Sequence, residues 1–155
     1  MSAANNIEIE RKFLVLTPPE LPDEGISIRQ GYLSTDAVTT RVRTGNKQAW
    51  LTIKGPTKGL SRAEFEYEIP HTDASDMLKQ FCPQHIEKTR YLIPFQDHTW
   101  EVDFFSGQHQ GLIIAEIELN SEDEAFAKPD WLGEEVSNDY RYRNSYLAKA
   151  TWPFE

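Results

Sequence analysis

The sequence predicts a mainly β fold, either an antiparallel sheet or a closed barrel of about eight strands. Three observations predict it. Strand-like runs dominate the chain, turn-forming residues separate them, and no long helical crossover lies between them.

Taken in order, Ile7–Val15 alternates Glu8, Glu10 and Lys12 with Ile7, Ile9 and Phe13. Pro18-Pro19 ends that segment, and Ser27–Ser34 follows. Thr39–Arg43 places Arg41 and Arg43 on one face, flanking Val42. Thr44–Gln48, with Gly45-Asn46 inside it, is a hairpin turn. Ala49–Lys54 puts Trp50, Thr52 and Lys54 opposite Ala49, Leu51 and Ile53. Gly55-Pro56 and Gly59 break the chain before Arg62–Ile69, where Arg62, Glu64, Glu66 and Glu68 alternate with Ala63, Phe65, Tyr67 and Ile69. A helix is expected over Thr72–Phe81, capped by Thr72 or Asp73 and closed before Pro83. In Lys88–Ile93, Lys88 and Arg90 alternate with Thr89, Tyr91 and Ile93, and Pro94 marks the end. Thr99–Phe105 alternates Glu101 and Asp103 with Trp100, Val102 and Phe104. Leu112–Leu119 carries Glu116 and Glu118 inside an apolar run, which suggests a central strand. Short helices are expected over Ser121–Ala127, with Ser121 as N-cap, and over Asn144–Ala150.

The 155 residues suggest one domain. The chain has no apolar run of membrane-spanning length. Met1–Asn6 has neither the basic nor the apolar region of a signal peptide. The single cysteine, Cys82, cannot form an internal disulfide, so a cytoplasmic location is expected. A net charge of −9 makes non-specific nucleic-acid binding unfavourable. His71, His85, His98 and His109 have no partners at metal-ligand or triad spacing and read as surface or loop residues.

Most charged neighbours on a strand face share a sign: Glu8/Glu10, Arg41/Arg43, Lys88/Arg90, Glu101/Asp103, Glu116/Glu118. Like charges on one face repel, so opposite charges or ions must face them. Two architectures satisfy this. A sheet can show its charged face to water. Alternatively, the sheet closes around the charges, so that basic strands face acidic ones across a small lumen suited to a metal and a polyanion.

The ordered series of motifs resembles the CYTH superfamily, the triphosphate tunnel metalloenzymes. It runs E-x-E-x-K at Glu8, Glu10 and Lys12, then GYLS (Gly31–Ser34), RVR (Arg41–Arg43), LTIK (Leu51–Lys54), EFEYEI (Glu64–Ile69), EKTRY (Glu87–Tyr91), WEVDFF (Trp100–Phe105), AEIEL (Ala115–Leu119) and EVSNDYRYRN (Glu135–Asn144). The resemblance covers most of the chain and is greatest to small bacterial inorganic triphosphatases. It implies an eight-stranded antiparallel barrel enclosing a charged tunnel, a few short covering helices, a small triphosphate substrate, and Mg²⁺ or Mn²⁺.

The resemblance also implies roles. Glu8, Glu10 and Glu118 would hold the metal, with Asp103 and Glu116 close by. Arg41, Arg43, Lys54, Lys88 and Arg90 would grip the phosphates, joined by Lys12 near the metal and by Arg62. Lys12, Glu116 or Glu118 would position the water. Glu64 and Glu66 would orient the cations, and Arg141 and Arg143 would reach a tunnel mouth. Tyr32 and Trp50 are candidates for the interior; Glu68 and Glu101 are read as ion-pair partners or surface groups. The expected reaction is cleavage of tripolyphosphate to pyrophosphate and phosphate. A class IV adenylyl cyclase, a thiamine triphosphatase and a non-hydrolysing polyphosphate-binding module are the rivals. Monomer and homodimer both remain open.

Overall fold

The computed structural model describes residues 6–22 and 24–154. Of Met1–Asn6, read as lacking the features of a signal peptide, all but Asn6 fall outside the described residues. Nine strands form one antiparallel sheet: β1 (Ile7–Val15), β2 (Ile26–Thr35), β3 (Thr39–Thr44), β4 (Ala49–Lys54), β5 (Ser61–Ile69), β6 (Ile86–Phe95), β7 (His98–Phe105), β8 (Ile113–Glu118) and β9 (Leu132–Glu135). Their order is β5-β4-β3-β2-β6-β7-β8-β1-β9, and β1 also pairs with β5. That last pairing, Ile7 with Ala63 through Ile9 with Ser61, closes the first eight strands into a barrel. β9 then takes the other half of the same β1 edge, from Phe13 to Val15.

Closure puts one side of every strand inside. The charged rows of β1, β3, β5, β6, β7 and β8 share the inner face. The apolar rows point outward and are covered in two places. Helix α1 (His71–Phe81) crosses from β5 to β6 and packs Ala74 and Leu78 onto Val42 and Ala49. The chain between β8 and β9 covers the opposite side. There Phe13, Trp100, Ile117 and Leu132 form a cluster that takes in Phe126 and Trp131. Phe13 meets Trp100 edge-on at 5.6 Å and Phe126 at 6.0 Å.

One end of the lumen is apolar. The inner row ends in Ile86 on β6, Phe105 on β7 and Ile114 on β8. Leu147 of helix α2 (Asn144–Leu147) packs among them. His109, expected as a surface or loop residue, does lie in the β7–β8 connection but is buried: its Nε2 lies 2.5 Å from the Leu147 carbonyl and 2.8 Å from the Ala150 carbonyl, clamping the C-terminal segment onto this plug.

Four local expectations are corrected. Ser121–Ala127 is a turn, because Phe126 must reach the Phe13–Trp100 cluster and Pro129 disfavours helix just before it. The C-terminal helix stops at Leu147 rather than Ala150. β6 continues through Pro94, which pairs with Thr99 close to the hairpin end, so no interior ladder bond is lost. β9 was not anticipated. It is short and polar, and its Gly133 lies against β1, where an added Cβ would sit 2.9 Å from the Leu14 carbonyl oxygen.

Phe13→Ala removes the ring at the centre of the outer cluster. It should lower stability by about 3–5 kcal/mol in urea unfolding. A loss under 1 kcal/mol would show that the cluster does not anchor this wall.

Candidate active site

The lumen is a cavity of about 150 Å³. Eight carboxylates and seven cationic side chains line it among the described residues. β1 supplies Glu8, Glu10 and Lys12; β3 supplies Arg41 and Arg43; β4 supplies Lys54; β5 supplies Arg62, Glu64 and Glu66. β6 adds Arg90, β7 adds Glu101, and β8 adds Glu116 and Glu118. The turn before α2 brings in Asp139 and Arg143. For the strand residues, alternation explains the shared face, since successive side chains point to opposite faces.

Register decides who meets whom. Lys12 stands opposite Glu116, and their charged groups are 3.3 Å apart. Lys54 Nζ donates to both oxygens of Glu8, at 2.9 and 3.1 Å, and lies 3.5 Å from Glu64. Arg41 donates to Glu66 at 3.2 Å and to Thr52 at 3.1 Å. Arg90 donates through Nε and Nη2 to the two oxygens of Asp103 at 2.8 and 2.9 Å, and reaches Glu116 at 3.3 Å and Glu101 at 3.4 Å. The Asp103 and Glu116 carboxyls are held low: burial raises both, but Arg90 and Lys88 outweigh it at Asp103, as Lys12 and Arg90 do at Glu116.

Three cations on the walls lack such partners. Among the described residues no carboxylate comes within 4 Å of Arg43, Arg62 or Arg143. Arg43 donates to the neutral amide of Gln30 at 2.9 Å, and Arg62 to the Gly55 carbonyl at 3.0 Å. Burial, with Arg41 and Arg90 nearby, lowers Arg43 to about 10. Burial also lowers Arg62, and Arg143 adds to the effect against the opposing pull of Glu8.

Lys88 and Asp103 sit behind the wall rather than on it. Both Asp103 oxygens are occupied by Arg90 and by Lys88, whose Nζ is 2.8 Å away. Unlike Glu8 and Glu116, Asp103 is buried and is not among the residues that line the lumen. Lys88 Nζ also donates to Asn144 at 3.1 Å and lies 5.4 Å from the Phe105 ring, where the apolar plug begins. Burial there, with Arg90 and Arg43 close by, takes the ammonium down to about 7 against the pull of Asp103. Arg141 is exposed and forms a 2.7 Å pair with Asp139, so Arg143 alone of the two lines the mouth. Trp50 packs toward Gly45 in the β3–β4 turn and is not on the wall, whereas Tyr32 is. Glu68 is exposed and accepts from Gln48.

Gln30, Thr39, Ser137 and Asn144 were missed. Gln30 lies on the inner row of β2, a strand with too little charge alternation to announce its face. Ser137 and Asn144 sit in irregular chain, where periodicity carries no signal.

The chemistry of the carboxylate set fits a divalent cation. Glu10 stands opposite Glu118 across β1 and β8, with Glu8 and Glu116 beside them. Burial, together with Glu116 and Glu8, pushes the Glu10 carboxyl well above the usual range. Burial raises Glu118 as well. Among the described residues no three His, Cys, Asp or Glu groups complete a metal site by themselves. Mg²⁺ suits such a set, because it takes one or two carboxylates and fills its octahedron with water and phosphate oxygens.

The CYTH domain family matches residues 6–150. The chain belongs to the CYTH family. Two curated relatives match this CYTH chain over nearly its full length. The inorganic triphosphatase of Acetivibrio thermocellus is 48% identical over 145 residues, 92% of this chain and 93% of the relative. That of Nitrosomonas europaea is 40% identical over 146 residues, 91% of this chain and 96% of the relative. The crystal structure of an inorganic triphosphatase superposes with a TM-score of 0.69 at 37% identity, covering 92% of this chain and 95% of the other.

The raised Glu10 carboxyl gives a pH prediction. The folded protein binds this proton more tightly than the unfolded one, so its contribution to stability declines as pH rises from the ordinary carboxyl value through the raised one. In EDTA at pH 8, Glu10→Gln should raise Tm by about 2–4 °C, the size of a ~1 kcal/mol change in a domain of this length. At pH 4 the difference should vanish. An equal effect at both pH values would exclude charge crowding as its cause.

Proposed function

We propose that this CYTH protein is a divalent-metal-dependent inorganic triphosphatase that hydrolyses tripolyphosphate to pyrophosphate and phosphate. One observation carries the reading: the same lumen wall presents guanidinium groups without carboxylate partners and a crowded carboxylate set. The first calls for a polyanion and the second for a cation. The names of the two curated relatives point to the same substrate.

The walls also favour a bare phosphate chain over a nucleotide or thiamine ester. Tyr32, Leu60 and Val136 are the only apolar or aromatic side chains on the described walls. A base or thiazolium ring is usually bound by a largely apolar or aromatic surface, and these three side chains offer little of one.

In this mechanism Arg41, Arg43, Lys54, Arg62 and Arg90 bind and align the phosphates, and Arg143 meets the chain at the mouth. Lys12, shared between Glu116 and the Tyr142 carbonyl at 3.0 Å, is a further phosphate ligand. Lys88 acts from behind, through Asp103 and Asn144, and Asp103 orients Arg90 instead of binding metal. Glu8, Glu10, Glu116 and Glu118 would hold Mg²⁺ or Mn²⁺, which when bound polarises phosphate oxygens as a Lewis acid. Water attacks the terminal phosphorus in line, the bond to the bridging oxygen breaks, and pyrophosphate leaves. Glu116 is pinned by Lys12 and Arg90 and held ionised, so it organises cations. Glu118, with its carboxyl raised, is the better group to accept a hydrogen bond from the attacking water. A buried free Cys82 fits a reducing, cytoplasmic setting.

Phosphate release from tripolyphosphate, ATP, pyrophosphate and thiamine triphosphate, each with Mg²⁺, Mn²⁺ or EDTA, tests the proposal. Tripolyphosphate with metal should be turned over fastest, and EDTA should stop it. Faster release from ATP, or conversion of ATP to cyclic AMP, would overturn it. Glu118→Gln should abolish metal-dependent release while Tm stays within a few degrees. Arg43→Ala should lower kcat/KM by about 10–100-fold, the loss of a charge-assisted phosphate contact.

A further inference from the structure

Gln30 is fully buried near the middle of β2 and stands opposite Arg43 in the β2–β3 register. Its Oε1 accepts from Arg43 Nε at 2.9 Å, and its Nε2 donates to the Tyr32 hydroxyl oxygen at 3.0 Å. Chemistry dictates this orientation. A guanidinium only donates, so the amide oxygen must face Arg43 and the NH₂ must face Tyr32. Both ends of the amide are thereby fixed, and so is the Arg43 side chain.

The neutrality of Gln30 sets Arg43 apart. Arg41 meets Glu66, Arg90 meets Asp103, Lys54 meets Glu8 and Lys12 meets Glu116. A carboxylate at position 30 would neutralise Arg43 in the same way. The amide instead takes up one N–H and contributes no net charge, leaving the Nη groups to the lumen that Arg43 lines. A planar fork held still and left uncompensated is what a phosphate group binds best, because little ordering remains to be done and no internal anion competes.

We propose that Gln30 is a positioning residue: its buried neutral amide fixes the Arg43 fork at the lumen wall and keeps its charge available for a phosphate of the substrate. This rests on the triphosphatase reading above. The lowered Arg43 value of about 10 agrees with a cation that has no anion of its own.

Steady-state hydrolysis of tripolyphosphate with Mg²⁺ tests the inference. Gln30→Glu retains the volume, adds an internal anion and should raise KM at least tenfold. On an Arg43→Met background the same change should shift KM less than twofold, because its target is gone. A structural defect would instead act alike in both backgrounds, and that result would overturn the proposal. An unchanged KM in folded Gln30→Glu would also overturn it. Gln30→Met gives a second reading should the acidic variant fail to fold: it unpins Arg43 and should raise KM about threefold or more, and wild-type KM would again overturn the inference. If the wild type does not turn over tripolyphosphate, both the function and this inference fall; if it does and the variants match it, only the inference falls.

Discussion

Charged groups inside a closed barrel can satisfy one another only across strands. Neighbours two apart on one strand share a face, and in this chain they usually share a sign as well. The barrel resolves the repulsion by register. β1 against β8 sets Lys12 beside Glu116, β4 against β5, which in turn pairs with β1, sets Lys54 among Glu64 and Glu8, and β6 against β7 sets Arg90 and Lys88 on Asp103. A slip of one residue in any of these pairings would turn a charged row outward and an apolar row inward. Inner-face electrostatics and outer-face packing therefore specify the same register.

What the pairing leaves over is as informative as what it satisfies. Carboxylates crowd where β1 meets β8, and among the described residues Arg43, Arg62 and Arg143 are left without a carboxylate partner. An apolar plug of Ile86, Phe105, Ile114 and Leu147 closes one end of the cavity and excludes water there. Burial beside that plug works in two directions: Arg90 and Lys88 outweigh it and hold the Asp103 carboxyl low, whereas at Lys88 the desolvation of the ammonium outweighs the pull of Asp103 and brings it down. The gradient from plug to mouth separates Lys88 and Asp103, paired and buried behind the wall, from the charges that line the lumen.

Much of this was legible in the sequence. Strand-like runs bounded by turn residues located eight of the nine strands described, and the sign sorting of Arg41/Arg43, Lys88/Arg90 and Glu116/Glu118 argued for a face that needs counter-charges. Other features were not legible, for identifiable reasons. β9 is too short and polar to carry a period. The Ser121 segment has a helix-like start but becomes a turn and irregular chain that carries Phe126 to the Phe13–Trp100 cluster. Asp103 and Lys88 carry the same alternation as their neighbours, yet they lie lower in the barrel, beside the plug, and alternation gives a side chain's face without its depth. His109 is buried by contacts with Leu147 and Ala150, about forty positions away, which no local pattern encodes.

The sequence by itself determined eight strands, which charges share a strand face and, through the order of its motifs, the family resemblance that the domain match bears out. These are local or linear properties, set by side-chain alternation and turn chemistry. Only the tertiary structure decided which charges cancel. Whether Arg43 meets a glutamate or the amide of Gln30, and whether Asp103 faces a lumen or a lysine, depends on register between strands and on distance from the plug. Those are relations between segments, and a linear pattern does not contain them.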